Sequence, residues 1–340
     1  MSIPFRTRQT LGRLFTTLLV IFLILAIVIA CWFFWLSRYI VYTRDGAVLD
    51  FGINLEFPEA EPGNALVPTP TVDIHYNEGA GAITPSTPEL KQLTGYYVSE
   101  EMLKGDISAI SKQIQLLPSG TPIMLDVKNT RGDFFYNSNQ GYLSDKINRS
   151  DLETMIATLD SKGYYLIARL PAFRDYRHGL ANVEDGLFNL DRWSLWMDED
   201  RCYWLNPDRD GTLTYLLQIV TELKNLGFDE VTFYDFRFPE TDQIYFPGDR
   251  AEAIQKVASV LVKTCTTSQF AVSFMGNDPK FPLPEGRTRL YFQGVSASDA
   301  ANLVAQTGLE NADAKVVFLT DLMDTRFDAY GVIRPLRLEG

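Results

Sequence analysis

From residue 93 to residue 334, segments with the composition of β-strands alternate with segments that have a helical pattern of apolar residues. This alternation is typical of a parallel sheet whose strands are connected by helices. The strand candidates are residues 93–98, 122–128, 164–170, 230–238, 270–275, 289–293, 315–320 and 330–334. The helix candidates between them are residues 101–117, 151–162, 213–226, 250–264 and 298–307.

Eight strands in about 250 residues are the content of a (β/α)8 barrel, and the chain is therefore predicted to have this α/β fold. The last connections are short, so a distorted barrel in the last units is also compatible with the pattern. An open doubly wound sheet is the alternative, but it normally has a glycine-rich first turn, and no such turn follows the first strand candidate.

Residues 14–37 contain no charged side chain. As a helix they are about 36 Å long, enough to cross the hydrocarbon core of a bilayer. Arg6, Arg8 and Arg13 precede them, so the positive-inside rule places residues 1–13 in the cytoplasm. We expect an uncleaved, single-pass signal anchor in the cell membrane, with the C-terminal domain extracytoplasmic. A lipoprotein with Cys31 as its lipidated residue is an alternative, although the five apolar residues after Cys31 argue against it.

Residues 38–90 are predicted to be an extracytoplasmic tether, and residues 91–340 the barrel. Six prolines lie between residues 45 and 90, in a context of Gly, Thr, Asn and Glu. Such a composition favours extended, poorly packed chain.

The charge of the chain is unevenly distributed. Residues 1–44 contain five arginines and no acid, so the rest has 26 basic and 43 acidic side chains and a net charge of −17. A domain of this charge is repelled by nucleic acid, and we expect a neutral or cationic ligand instead. The three cysteines form no disulfide framework or zinc pattern, and His75 and His178 alone make a histidine-based metal site improbable, so no metal or other cofactor is expected.

Residues 227–239 read GFDEVTFYDFRFP, an apolar strand that presents Asp235 and Arg237 near its C-terminal end. The C-terminal ends of the strands are where parallel barrels carry their chemistry. The segment resembles the fourth strand of a family of glycoside-hydrolase-like barrels, which reads G-F-D-E-I-Q-F-D-Y-x-R-F-P. Residues 93–97, 124–128, 163–173 and 204–207 resemble further blocks of that family in the same order. The resemblance implies a barrel fold and a glycosidase activity.

Two departures from the family pattern bear on that activity. The family has an acid directly after the strand phenylalanine, whereas here Tyr234 occupies that place and the acid is Asp235. Strand alternation then predicts that Tyr234 faces the cavity and that Asp235 faces the helix layer, where Arg237 would pair with it and lower its pKa. The alternative is a local bulge that returns Asp235 to the cavity. The acid of the next strand aligns with Ser273.

Glycoside hydrolysis usually requires two carboxyl groups. Among the acids near strand ends, Asp126 and Asp235 are the best candidate catalytic pair, since they belong to the second and fourth strands of one barrel mouth. The alternative is a structural one, in which these acids form ion pairs with Lys128, Arg169 and Arg237.

The long third loop, residues 173–207, is rich in aromatic residues. Flat rings beside polar groups suit stacking on sugars, although packing of the loop onto the barrel explains them equally well. The candidate substrate-binding residues are Lys128, Arg169, Asp175, Trp196, Trp204, Tyr234 and Arg237.

We therefore expect a glycoside-hydrolase-like protein that acts on or binds a cell-surface polysaccharide, with hydrolysis in question because of the two departures. The alternative is a non-catalytic carbohydrate-binding or envelope scaffold protein on a degenerate barrel. A polysaccharide deacetylase is less compatible with two histidines, because such an enzyme needs a metal site.

Overall fold

The computed structural model describes residue 25, residues 40–43, residues 46–49 and residues 89–337. The chain divides into two compact units, Met1–Ala80 and Gly81–Gly340, which are described separately. In the first unit Ile40–Thr43 pairs antiparallel with Gly46–Leu49. No helix among the described residues is long and apolar enough to cross a membrane. The predicted cytoplasmic segment and almost all of the predicted span and tether lie outside the described residues, so those predictions remain predictions.

The second unit contains a closed barrel of eight parallel strands, which confirms the predicted (β/α)8 architecture. The barrel closes where β8 pairs with β1, with Val332 opposite Thr94. The strands are β1 (Thr94–Val98), β2 (Pro122–Asp126), β3 (Tyr165–Pro171), β4 (Glu230–Tyr234), β5 (Ala271–Met275), β6 (Leu290–Gln293), β7 (Val316–Leu319) and β8 (Gly331–Pro335).

The helices differ from the prediction in one main respect. The predicted helix at residues 101–117 is two helices, because the carboxylate of Asp106 accepts hydrogen bonds from the backbone N–H groups of Ser108 and Ala109 and so begins a new helix. The helices are α1 (Glu100–Leu103), α2 (Ile107–Ile114), α3 (Arg149–Ser161), α4 (Tyr176–Ala181), α5 (Asp210–Asn225), α6 (Arg250–Cys265), α7 (Ala300–Thr307) and α8 (Ala312–Lys315).

The last units of the barrel are reduced, as their short connections suggested. Every residue of the β5–β6 connection is described, and none of them is helical. Between β7 and β8 only a 3-10 turn, Thr325–Phe327, replaces the helix. The apolar side chains of this side form a separate core cluster that includes Phe292, Phe318 and Phe327.

The interior of the barrel is filled by alternate side chains of the strands. Met124, Ile167, Tyr291 and Ile333 belong to one interior cluster. Near the N-terminal end, the buried guanidinium of Arg289 pairs with the buried carboxylate of Glu230. This packing fills the lower part of the barrel, so a ligand can reach polar side chains of the interior at the C-terminal mouth.

Candidate active site at the barrel mouth

Asp126 is the last residue of β2 and lies inside the mouth, with a side chain that is 10% exposed. Its Oδ2 accepts hydrogen bonds from the Tyr97 hydroxyl at 2.6 Å and from the backbone N–H of Glu100 at 2.9 Å. Its Oδ1 accepts a hydrogen bond from Arg169 Nη1 at 2.8 Å. The Asp126 carboxylate therefore accepts hydrogen bonds from three donors, one of them cationic.

Arg169, in β3, connects several side chains of the mouth. Its guanidinium lies over the ring of Tyr234, with 4.2 Å between Cζ and the ring centroid. Its Nη1 also donates to the Tyr97 hydroxyl at 3.1 Å, and Nη2 donates to Gln293 Oε1 at 3.4 Å. Arg169 therefore fixes the positions of side chains from β1, β2, β4 and β6.

Tyr234 faces into the barrel, as strand alternation predicted, and packs against its interior cluster. Burial raises the pKa of the Tyr234 phenol. The positive charge of Arg169 lowers this pKa, and the negative charges of Asp126 and Asp235 raise it further. Asp126 is the last residue of β2 and Asp235 directly follows β4, so both belong to the C-terminal end of the barrel.

Asp235 follows β4 in a left-handed backbone conformation, with φ at 49°. β4 ends at Tyr234 and is therefore shorter than the predicted strand at residues 230–238. Because Asp235 lies outside the strand, strand alternation does not determine where its side chain points. Phe236, the next residue, packs between the barrel and the helices, with its ring 4.5 Å from that of Phe274. Aspartate is among the few residues other than glycine that adopt this conformation.

The environment of Asp235 differs from the prediction. Its side chain is 19% exposed, and Arg237 Nη2 lies 3.9 Å from Oδ1, too far for a hydrogen bond. Burial raises the pKa of the Asp235 carboxyl, against the opposing charges of Arg174, Arg237 and Arg169. The prediction of a lowered pKa is therefore wrong, because desolvation outweighs a long ion pair.

Two of the predicted binding residues, Lys128 and Asp175, are inaccessible to a ligand. Lys128 Nζ lies 2.6 Å from Asp175 Oδ2, and both side chains are fully buried. Asp175 also accepts hydrogen bonds from the Tyr215 hydroxyl at 2.8 Å and from the backbone N–H of His178 at 2.9 Å. The pair is structural, and its assignment to substrate binding is wrong.

The third loop confirms the packing interpretation for one tryptophan. Trp204 is 3% exposed, its Nε1 donates to Asp198 Oδ2 at 2.9 Å, and the Arg237 guanidinium lies 5.3 Å from its ring centroid. Its predicted role as a sugar platform is therefore wrong in this structure. Trp196 is half-buried and packs against the core, whereas Trp193, which was not among the predicted binding residues, is 90% exposed.

Tyr97 and Gln293 belong to the mouth but were not among the predicted site residues. Burial raises the pKa of the Tyr97 phenol, so this hydroxyl remains a hydrogen-bond donor to Asp126. The alternation of β1 was the signal that could have found Tyr97. Among the described residues, no three His, Cys, Asp or Glu side chains are grouped closely enough to hold a metal ion.

Comparison with known proteins shows the family of the barrel. The model of a family described as a putative glycosyl hydrolase domain matches residues 95–275, more than half of the chain. The chain belongs to this family. A search of curated protein sequences finds no significant match.

Several solved structures are similar to the barrel. The α-galactosidase of Lactobacillus brevis has a TM-score of 0.50 and 8% identity, and the match covers 74% of this chain and 38% of that enzyme. The glycoside hydrolase domain of PelA from Pseudomonas aeruginosa has a TM-score of 0.45 and 11% identity, covering 73% of this chain and 96% of that domain. A hypothetical protein from Ruminiclostridium thermocellum ATCC 27405 has a TM-score of 0.46 and 20% identity, covering 53% of this chain and 96% of that one. The galactosidase supports the barrel fold alone, and this chain spans well under half of its length.

The second departure from the glycosyl hydrolase family pattern, Ser273, lies deep in the barrel. Its side chain is fully buried and donates a hydrogen bond to Glu230 Oε1. Met275 lies two residues further along β5, nearer the mouth, and its side chain belongs to the interior cluster. A carboxyl at position 273 would therefore lie beside Glu230, below the mouth.

Proposed function

We propose that the barrel hydrolyses a polysaccharide at its C-terminal mouth and that Asp235 is the proton donor. The observation that carries the proposal is the Asp235 carboxyl itself. It lies at the end of β4, it is partly exposed, it accepts no hydrogen bond from the described residues, and its pKa is raised by burial. A carboxyl that keeps its proton closer to neutral pH is suited to protonate the oxygen of a glycosidic bond.

Asp126 supplies the complementary group in this proposal. Its carboxylate is held in place by Arg169, and a carboxylate at this position stabilises the positive charge that develops at the anomeric carbon as the bond to oxygen breaks. Water then adds to that carbon and its proton returns to Asp235. Two carboxyl groups with different surroundings are what this division of roles requires.

Carbohydrate binding without hydrolysis is the second candidate function. Both oxygens of Asp126 already accept hydrogen bonds, from Tyr97, Glu100 and Arg169. A carboxylate occupied in this way is less available to a reacting sugar, so the mouth could bind a polysaccharide chain and leave it intact.

The experiment compares the wild type with Asp235→Asn and Asp313→Asn on a panel of neutral polysaccharides, with reducing ends measured over time. Asp313 is an exposed residue of α8, which precedes β7 and so lies at the opposite end of the barrel. Asparagine keeps the left-handed backbone but has no proton to give, so we expect Asp235→Asn to lose about 100-fold or more in rate. Asp313→Asn should retain full activity.

Each outcome decides between the candidates. Hydrolysis by Asp235→Asn at the wild-type rate contradicts the role of Asp235. Binding without hydrolysis by the wild type supports the second candidate, and neither binding nor hydrolysis across the panel contradicts both.

The proposed site of action is the cell surface. Support for this comes from the sequence, with an uncharged segment at residues 14–37, arginines before it and a proline-rich stretch after it. The acidic domain is compatible with a neutral polysaccharide and disfavours nucleic acid as a partner.

A further inference from the structure

A cavity lies at the C-terminal ends of β1, β6, β7 and β8, on the side of the barrel opposite β4. Its volume is about 550 Å³, which is within the range of small-molecule sites. Tyr97 and Gln293 line it, and both also belong to the hydrogen-bonded group around Asp126 and Arg169. The cavity therefore shares two side chains with the candidate active site.

The cavity has one charged lining residue, Asp321, which lies two residues after the end of β7. Its side chain is exposed and makes no hydrogen bond or ion pair with any described residue. The next two cations along the chain already have acidic partners. Arg326 Nη2 lies 2.7 Å from Asp324 Oδ2, and Arg334 Nη2 lies 3.2 Å from Asp328 Oδ1. The negative charge of Asp321 is therefore available to a ligand.

The other groups of the lining suit a sugar ring. Gln293 Oε1 accepts a long hydrogen bond of 3.4 Å from Arg169 Nη2, and Gln293 Nε2 has no partner among the described residues. This amide N–H group can therefore donate to a hydroxyl. Val295 and Leu322 add apolar surface, against which the C–H face of a sugar ring can pack. The cavity thus combines a neutral donor, an apolar surface and one unpaired anion.

We propose that this cavity binds a sugar unit with a protonated amino group and that Asp321 receives the ammonium; this inference rests on the proposed function and narrows its substrate. An ammonium group brings both charge and hydrogen-bond donors, which matches a carboxylate that has neither a cation nor a donor. The charge of the domain agrees, since the chain after residue 44 has 26 basic and 43 acidic side chains.

Other substituents on the sugar match the cavity less well. A carboxylate or a sulfate would be repelled by Asp321, and a hydroxyl or an acetamido group would bring no charge to pair with it. A neutral sugar still fits the cavity, so an amino sugar is preferred over a neutral one but is not required.

The test measures binding of matched methyl glycosides to the full-length chain by ligand-observed NMR, at about pH 6 and low ionic strength. The pairs are glucosaminide against glucoside and galactosaminide against galactoside, which differ only in the substituent at C2. We expect the wild type to bind the amino member of at least one pair about fivefold more tightly, as is typical of an exposed ion pair, and this preference should fall at high salt. Equal affinities within both pairs, or a preference that salt does not reduce, would overturn the inference.

The variants locate the effect. Asp321→Asn keeps the shape of the side chain but removes its charge, so the preference for the amino sugar should disappear. The fold should be unaffected, because the side chain is exposed. Asp313→Asn removes the same charge at the opposite end of the barrel and should keep the wild-type preference. A preference that persists in Asp321→Asn, or that both variants lose equally, would contradict the role of Asp321.

The two proposals fail in different ways. Asp235→Asn should keep the preference for the amino sugar, because binding needs no proton donor. Equal binding within both pairs, together with hydrolysis of a neutral polysaccharide that Asp235→Asn abolishes, would contradict this inference and leave the proposed function standing. A preference for the amino sugar in a protein that hydrolyses no polysaccharide, with or without amino groups, would contradict the catalytic role alone.

Discussion

At the scale of single residues, the chemistry of the mouth depends on how two aspartates of similar exposure are surrounded. Asp126 is 10% exposed and receives three hydrogen bonds, whereas Asp235 is 19% exposed, and Arg237, one of the arginines around it, is 3.9 Å away. Burial of a carboxyl favours its protonated form, and it raises the pKa of Asp235. The same residue type therefore has different surroundings at the ends of β2 and β4.

The position of Asp235 also shows where strand alternation stops being predictive. Alternation correctly places Tyr234 inside the barrel, because Tyr234 is still part of β4. It gives no information about Asp235, because the left-handed φ of 49° turns the chain at that residue. A single sequence contains no signal that distinguishes this turn from a continued strand through Phe236, so the raised pKa could not be predicted.

At the scale of structural elements, the third loop is attached to the barrel by the Lys128–Asp175 ion pair. Asp175 begins α4, pairs with Lys128 after β2 and accepts a hydrogen bond from Tyr215 of α5. Arg174, the residue before it, makes ion pairs with Asp198 at 2.6 Å and with Asp200 at 2.5 Å. Together these contacts join the start of the loop to the barrel, to α5 and to the later part of the same loop.

We predict that Lys128→Met destabilises the barrel by about 3–5 kcal/mol, because it leaves the buried charge of Asp175 without its cation. Urea unfolding measures the change. Lys256→Met is the matched control, since Lys256 Nζ pairs with Asp208 Oδ1 at 3.1 Å on the surface, with side chains 65% and 56% exposed. That exposed pair should contribute at most about 1 kcal/mol. Equal effects of the two changes would show that the buried pair contributes no more than the surface pair.

The order of the elements was largely predictable, and their exact ends were not. Alternating apolar strands and amphipathic helices require a parallel sheet covered by helices, and the closed barrel follows this pattern. The break between α1 and α2 depends on the cap formed by Asp106, and α4 has only six residues, too few for a helical period to be recognised. The burial of Lys128 and Trp204 depends on how the third loop packs onto the barrel, which no local sequence pattern predicts.

At the scale of the whole molecule, the barrel belongs to a glycosyl hydrolase domain family, and its proposed place is outside the cytoplasmic membrane. The membrane segment is a sequence-based proposal, since residues 14–37 lie almost entirely outside the described residues. The proposed anchor and the proposed carbohydrate site at the mouth of the barrel would suit a protein that acts on polymers near the cell that makes it.

We predict that protease added to intact spheroplasts removes the barrel and leaves a small membrane-bound fragment. The physical reason is that the proline-rich stretch between the anchor and the barrel would be accessible from outside. Immunoblotting with tags at both ends of the chain measures the outcome. A cytoplasmic marker protein should survive the same treatment, and full protection of the barrel while an external marker is digested would contradict the orientation.

The central claim is that the mouth of the barrel holds a desolvated carboxyl, Asp235, that is suited to give a proton to a sugar. The most direct measurement is a pH titration of the Asp235 carboxyl by 13C NMR, with the signal assigned from its absence in Asp235→Asn. The account predicts a pKa above the ordinary aspartate value of about 3.9, because burial outweighs the arginines around it. A pKa at or below the ordinary value would contradict it, since Asp235 would then be an ion-paired surface acid.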